Sequence, residues 1–265
     1  MTAIGVITGT GTYALPGLEG AEPEEVGTPW GPATVTRGRS GEVEVLHVSR
    51  HGAGHRRVSN HVSHRANIAA LVQLRAAAVL AVTVCGAVDP EVELGSLIVF
   101  DDLHFLVNRL PDGSLCTFYP EAGDPRRGHW IFEGPYAEGL RSALLESARA
   151  AGQPVRDGGC YGHVDGPRFN TRAEIRSLAQ AGVTAVSQTA GPETVLCGET
   201  EMPMALLGYA TDYANGVKAE ATPLAELMRL IGQSTEAFAA VLAEAIPRAA
   251  AGAAAASGIV YRFEE

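Results

Sequence analysis

Cysteine is scarce and scattered: the 265-residue chain has four, Cys85, Cys116, Cys160 and Cys197, and none forms a CxxC pair. This spacing argues against a disulfide scaffold and predicts free thiols in a reducing compartment. Basic charge is in deficit, with 20 Lys and Arg against 30 Asp and Glu for a net charge of -10, so no broad surface for nucleic acid or anionic lipid is expected. Any anionic ligand must be held by a local site. Long apolar runs are also missing, since even the Ala-rich stretch 237–256 carries Glu244 and Arg248, and a membrane span needs about 18 uninterrupted apolar residues. The start, Met1-Thr2-Ala3-Ile4-Gly5-Val6-Ile7, has no basic segment ahead of an apolar core and does not read as a signal peptide. These absences predict a soluble, cytoplasmic protein.

What is present is 46% hydrophobic residues, which excludes intrinsic disorder, in short apolar runs that alternate with helix-like segments. No Ser/Pro-rich linker and no internal repeat divides the chain, so residues 1–265 read as one domain. Strands are expected at 4–8, at 33–36 and 43–48 as a hairpin turned at Gly38-Arg39-Ser40-Gly41, and at 96–100, 158–164, 183–186 and 204–210. The run 78–84 (AVLAVTV) is continuously apolar or β-branched, as in a strand covered on both faces. Helices are expected at 60–75, 135–151, 171–181 and 222–251, the last kinked or broken at Pro247. The alternation predicts a single-domain α/β fold, a mixed but mostly parallel sheet flanked by helices. Residues 110–130 form the longest irregular segment and are expected to act as a lid or a subunit contact.

Several strand ends carry residues suited to chemistry. Gly9-Thr10-Gly11-Thr12 follows the first strand, and glycines there let backbone amides approach an anion while Thr10 adds a hydroxyl. The loop fits a relaxed dinucleotide pattern with Ala14, but Leu15-Pro16-Gly17 interrupts the helix that pattern requires, and the Lys of a P-loop is absent. A plain tight turn is the alternative. Arg50-His51-Gly52 closes the hairpin's second strand, with His55, Arg56 and Arg57 close behind. A guanidinium beside an imidazole suits a bound oxyanion, against the alternative of a solvated basic turn. The spacings of His51, His55, His61 and His64 allow a metal reading, but no acidic or Cys ligand accompanies them, so no metal is expected. Phe169 in Gly166-Pro167-Arg168-Phe169-Asn170 can offer a stacking face, or be core. Ser187-Gln188-Thr189 and Thr211-Asp212 stand at the carboxyl ends of apolar strands, where open α/β sheets place ligands. Asp212 there is an acid candidate, or a cap.

Taken in order, the Gly-Thr-Gly loop, Thr28-Pro29-Trp30-Gly31, Arg50-His51-Gly52, Arg65-Ala66-Asn67, Thr83-Val84-Cys85-Gly86, the Gly-Pro-Arg-Phe segment with Glu174, Pro192-Glu193 and Thr211-Asp212-Tyr213 span the chain. Together they resemble the trimeric purine nucleoside phosphorylase family, in its S-methyl-5'-thioadenosine phosphorylase branch. The resemblance implies phosphorolysis of a purine nucleoside to free base and sugar 1-phosphate, with inorganic phosphate as co-substrate, no cofactor and a homotrimer or dimer of trimers. It assigns Thr10, Arg50, His51, Thr83, the amide of Val84 and Thr189 to phosphate. Cys85, Gly86 and Phe169 fall to the base, and Asp212 becomes the acid at purine N7. Leu224 and Leu227 become an apolar wall by the sugar 5' group, and His129 a residue reaching a neighbouring subunit's pocket.

The chain also departs from that pattern. Asn170 after the stacking Phe, together with Asp212, favours a 6-aminopurine over a 6-oxopurine. Ala214 stands where adenine-selective members carry a second acid, and Gln188 where the family has a Met beneath the ribose. Thr8 and Ser63-His64 diverge as well. Two alternatives follow: a paralogue for another purine nucleoside, signalled by Gln188 and Ala214, and a nucleoside-binding protein without turnover.

Overall fold

A computed structural model describes residues 2–252 and 254–263. In chain order the elements are β1 (Ala3–Thr8), β2 (Glu19–Thr28), β3 (Gly31–Ser40), β4 (Val43–Ser49), α1 (His64–Gln73), β5 (Ala76–Ala87), β6 (Leu97–Val99), β7 (Asp102–His104), β8 (His129–Ile131), α2 (Glu138–Ala150), β9 (Val155–Asp157), β10 (Cys160–His163), α3 (Arg172–Gln180), β11 (Val183–Ser187), α4 (Ala190–Glu199), β12 (Met204–Tyr213), α5 (Leu224–Ala251) and β13 (Ile259–Tyr261).

The apolar run of β5 is explained by its place in the sheet. On one edge its first half pairs in parallel with β1, and along the other it pairs in parallel with β12. Its last residues, Gly86 and Ala87, turn to pair antiparallel with β11. The sheet therefore forks at the end of β5, running β2-β3-β4-β1-β5-β11-β10-β7, with β12, β6 and β9 on the branch. Side chains alternate across β5: Val79, Ala81 and Cys85 enter one core with Ile68 and Leu71 of α1 and Leu196 of α4. Ala78, Leu80 and Val82 enter the opposite core with Leu140 and Leu144 of α2 and Phe238, Val241 and Leu242 of α5. A strand with helices on both faces can carry no polar face, hence the unbroken run.

Several boundaries differ from expectation. Strand β2 was not foreseen: it is acidic and almost wholly exposed, an edge strand held to β3 by backbone pairing with no buried face to mark it. The hairpin turns at Gly41-Glu42, because Ser40 pairs with Val43. Gly38 lies inside β3, where a Cβ would meet the Leu18 side chain and the Glu19 carbonyl at 2.5 and 2.9 Å. The helix expected at 60–75 starts at His64, after a single 3-10 turn at Ser59–His61. Pro247 does not break α5. Helical bonding resumes beyond it, with the Gly252 amide donating to the Arg248 carbonyl at 3.0 Å, and Ala245, Ile246 and Ala249 keep that stretch packed in the core. The segment 110–130 is tied to the body by Arg65, which donates to the carbonyls of Thr117 (2.7 Å) and Leu115 (2.6 Å) while lying over the Trp30 ring. None of its residues borders the main cavity, so in this chain it is not that cavity's lid. Among the described residues no helix is long and apolar enough to cross a membrane.

Candidate active site

An apolar cleft of about 320 Å³ lies where the carboxyl ends of β1, β4, β5, β11 and β12 converge. Into it the fold brings Thr10, Arg50, His51, Thr83, Val84 and Thr189, the residues expected at phosphate. Cys85, Gly86, Phe169, Asn170, Gln188, Asp212, Ala214 and Leu227 border the same space. Leu224 does not: as the first residue of α5 it stays 71% exposed, and the helix presents Leu227 and, one turn on, Ile231 instead. His129 lies on β8 outside this chain's cavity, its ring edge-on to Phe263.

The anion end is built around Arg50, whose side chain is only 1% exposed. Its Nε and Nη2 donate to the two carboxylate oxygens of Glu193 at 2.7 and 2.8 Å, and Nη1 donates to the Val82 carbonyl at 2.7 Å. A guanidinium has five N–H donors, so one on each Nη remains. Glu193 was named only as part of a motif, and its role shows in the structure: it cancels the charge that Arg50 would otherwise bury alone. The sequence hint was a carboxylate in the otherwise apolar first turn of α4. The glycine loop lies directly against this pair, because a Cβ on Gly9 would stand 2.5 Å from Arg50 Nη1. Gly11, at φ 84°, is pinned by Thr235 of α5, whose hydroxyl donates to the Gly11 carbonyl at 3.0 Å.

His51 completes this end as a neutral ring. Its Nδ1 lies 2.8 Å from the Arg57 carbonyl, which can only accept, so the proton sits on Nδ1 and Nε2 is left as an acceptor. Burial first, and then the Arg50 charge, lower its pKa to about 4. His55 stacks on it at 4.2 Å between ring centroids. Thr189 is the N-cap of α4 but caps no amide of the helix, which leaves its hydroxyl for the cavity at a helix N-terminus. Thr83 bonds Ser187 across the strand ends at 2.9 Å.

The opposite wall carries Asp212. The register of β12 against β5 slips between Ala210 and Asp212, so Thr211 is the extra residue of a bulge that sets Asp212 opposite Gly86. Gly86 leaves room there, as a Cβ would stand in tight contact with Asp212 Oδ2 at 3.2 Å. Burial raises the carboxyl pKa, opposed by the Thr211 hydroxyl donating to Oδ1 at 2.9 Å. Phe169 stands on the rim, 64% exposed, on a loop anchored by the capping box of α3. Arg168 forks onto Glu174 at 2.7 and 2.9 Å, and Asn215 Nδ2 donates to the Asn170 carbonyl at 2.7 Å. Gln188, expected to meet a sugar, spends its amide on the protein: Oε1 accepts from Ser59 at 2.8 Å and Nε2 donates to the Arg168 carbonyl at 3.0 Å. Sequence reasoning missed Ser59, Ile175, Asn215 and Ile231, which reach the cavity from elements that carry no recognisable motif.

The cleft thus joins the buried Arg50–Glu193 pair, a buried carboxyl and an aromatic rim. Residues 3–247 match the phosphorylase superfamily, to which the chain belongs. Within it the chain is a member of the purine nucleoside phosphorylases, pentosyltransferases with relatives named for two kinds of purine. A 6-oxopurine nucleoside phosphorylase of Pyrococcus furiosus is 33% identical over 252 residues, 93% of each chain. An S-methyl-5'-thioadenosine phosphorylase of Mycolicibacterium smegmatis is 38% identical over 218 residues, 81% of this chain and 78% of that one. The solved structure of methylthioadenosine phosphorylase from Schistosoma mansoni in complex with adenine shares the fold at a TM-score of 0.84, with 24% identity over 95% of this chain and 93% of that chain.

Proposed function

We propose that the protein catalyses phosphorolysis of a 5'-modified purine nucleoside, with 5'-methylthioadenosine or a 5'-deoxyadenosine analogue as the substrate class. The observation that carries this reading is one cleft bordered both by Arg50, which keeps one N–H on each Nη beyond its bonds to Glu193 and Val82, and by a buried Asp212 of raised pKa. Phosphate is held by Thr10, Arg50, His51, Thr83, the Val84 amide and Thr189. Since His51 Nε2 is an acceptor, it takes the O–H of hydrogen phosphate and so selects the protonated anion. A phosphate oxygen then attacks the anomeric carbon as the bond to purine N9 breaks. The bonding electrons pass into the base, and protonated Asp212 delivers its proton to N7. The acid and the anion thus stabilise the two ends of an oxocarbenium-like transition state. Phosphate is the only co-substrate and no metal or other cofactor is used.

Two details support an adenine-type base and a modified sugar. Asn215 commits its Nδ2 to Asn170, leaving Oδ1 as an acceptor beside Ala214, where a second acid is missing. Leu227 and Ile231 give the cleft an apolar wall. A second reading, 6-oxopurine nucleosides, is supported by the relatives named for that activity. A nucleoside panel varied at the base and at the 5' position, assayed for base release with and without phosphate, tests all of these. Phosphate-dependent release with 5'-methylthioadenosine foremost is expected. Release without phosphate would point to a hydrolase, tight binding without release to a binding protein, and preference for inosine to the second reading.

A further inference from the structure

We propose that Gln188 is a positioning residue for the base platform: it clasps the Ser59 turn to the Phe169 loop and sets the direction of the Phe169 ring, contributing no bond to the sugar. This rests on the reading of the cleft as a purine nucleoside site.

Gln188 is well placed to transmit rigidity. It lies between the last residue of β11 and the N-cap of α4, and the neighbouring Ser187 carbonyl accepts from the Val164 amide at 3.1 Å. Both ends of its side-chain amide are used. Ser59, from the 3-10 turn, donates to Oε1 at 2.8 Å, and Nε2 donates to the Arg168 carbonyl at 3.0 Å. That carbonyl belongs to the peptide unit that carries the Phe169 nitrogen, so holding its plane holds the N–Cα bond about which the Phe169 side chain is set. Phe169 itself is 64% exposed and has little packing to hold it. Of the other restraints on this loop, Arg168 pairs with Glu174 and donates from Nη1 to the Phe169 carbonyl at 3.2 Å, and Asn215 donates to the Asn170 carbonyl, so they act at and after Phe169. Gln188 holds the main chain just before it.

Gly166 shows that the clasp is built into the loop. A Cβ at that position would fall on Gln188 Oε1 and on Ser59 Oγ, so the loop can cross the clasp only as glycine. The clasp is also a partition. Gln188 and Ser59 border both the main cleft and a second cavity of about 280 Å³ lined by Arg109, His163 and Asp165. A methionine at 188 could fill the same space but could make neither hydrogen bond.

The test separates base from sugar. Binding of free adenine and free hypoxanthine, which have no sugar, is measured calorimetrically for the wild type, Gln188→Glu, Gln188→Met, Ser59→Ala and the double variant Ser59→Ala/Gln188→Met, alongside phosphate binding. Glutamate keeps the shape and the bond from Ser59 but cannot donate to the Arg168 carbonyl. Both Gln188 variants are expected to bind free base about fivefold to tenfold more weakly, the loss of one or two hydrogen bonds. The double variant should be no weaker than Gln188→Met, because one clasp is lost once, and phosphate affinity should not change. Unchanged base affinity with lower kcat/KM on ribonucleosides would overturn the proposal and make Gln188 a sugar ligand. An equal fall in phosphate affinity would overturn it as general damage to the site. If the wild type binds neither base, the purine reading itself falls, a result distinct from both.

Discussion

At the residue scale the site is governed by two carboxyls in opposite surroundings. Glu193 is paired with Arg50 where both are 1% exposed, and a buried pair broken on one side leaves a stranded charge. Glu193→Ala is therefore expected to lower the urea midpoint by the equivalent of about 3–5 kcal/mol, and added phosphate should recover part of the loss by facing the freed guanidinium. Among the described residues Asp212 has no cationic partner, and burial raises its pKa. Asp212→Asn should slow adenine nucleosides by about 10²–10⁴-fold, the ordinary worth of a general acid, in steady-state phosphorolysis. The same variant has a stability signature. A raised folded-state pKa means that the bound proton stabilises the fold below the ordinary carboxylate range, and that this contribution is lost as pH rises through the raised value. Asparagine suffers no such loss, so Tm of the variant relative to wild type should climb as pH rises from about 4 towards neutrality. A difference that is flat with pH would remove Asp212 from the buried-acid role.

At the element scale, the strands were legible because their chemistry is local. The run 78–84 is apolar on both faces, and β5 is buried on both. Strand β2 was illegible for the converse reason, since an exposed edge strand needs only backbone pairing and has no pattern to display. The 28-residue helix α5 went against a local rule. Proline costs an interior position about 3 kcal/mol relative to alanine, yet the helix continues through Pro247, with Ala245, Ile246 and Ala249 packed in the core. Pro247→Ala should restore the missing amide donor and stabilise the chain by about 1–3 kcal/mol in thermal or urea unfolding. No change would mean that the helix already relieves the strain at that turn.

At the scale of the whole molecule, exposed apolar side chains lie on the β7–β8 connection and on the small β8–β13 sheet, besides those at the cleft rim and the start of α5. Leu106 is 85% exposed and Val107 57%, while Ile131, Phe132, Ile259, Tyr261 and Phe263 crowd the small β8–β13 sheet. Contiguous exposed apolar surface of this kind marks contact surfaces. His129 lies on that same sheet, at a position that the family resemblance assigns to a neighbouring subunit's pocket. We expect sedimentation equilibrium to give three times the mass of the chain, and Leu106→Glu to shift that mass downward. A monomer at working concentration would mean that each cleft is complete within its own chain.

The sequence by itself determined the alternation of elements, the doubly covered central strand, the Arg50-His51 pair at a strand end, and the ordered motifs that point to a nucleoside phosphorylase, because each depends on residue types at fixed short spacings. Only the tertiary structure decided what those residues do to one another. Glu193 neutralises Arg50 from 143 positions away, a one-residue bulge sets Asp212 against Gly86, and Gln188 spends both ends of its amide on Ser59 and Arg168. The net charge of -10 had made an anion site an exception that needed a local cation. In the folded chain that cation is already paired with Glu193, and such convergence of distant strand ends leaves no trace in local sequence.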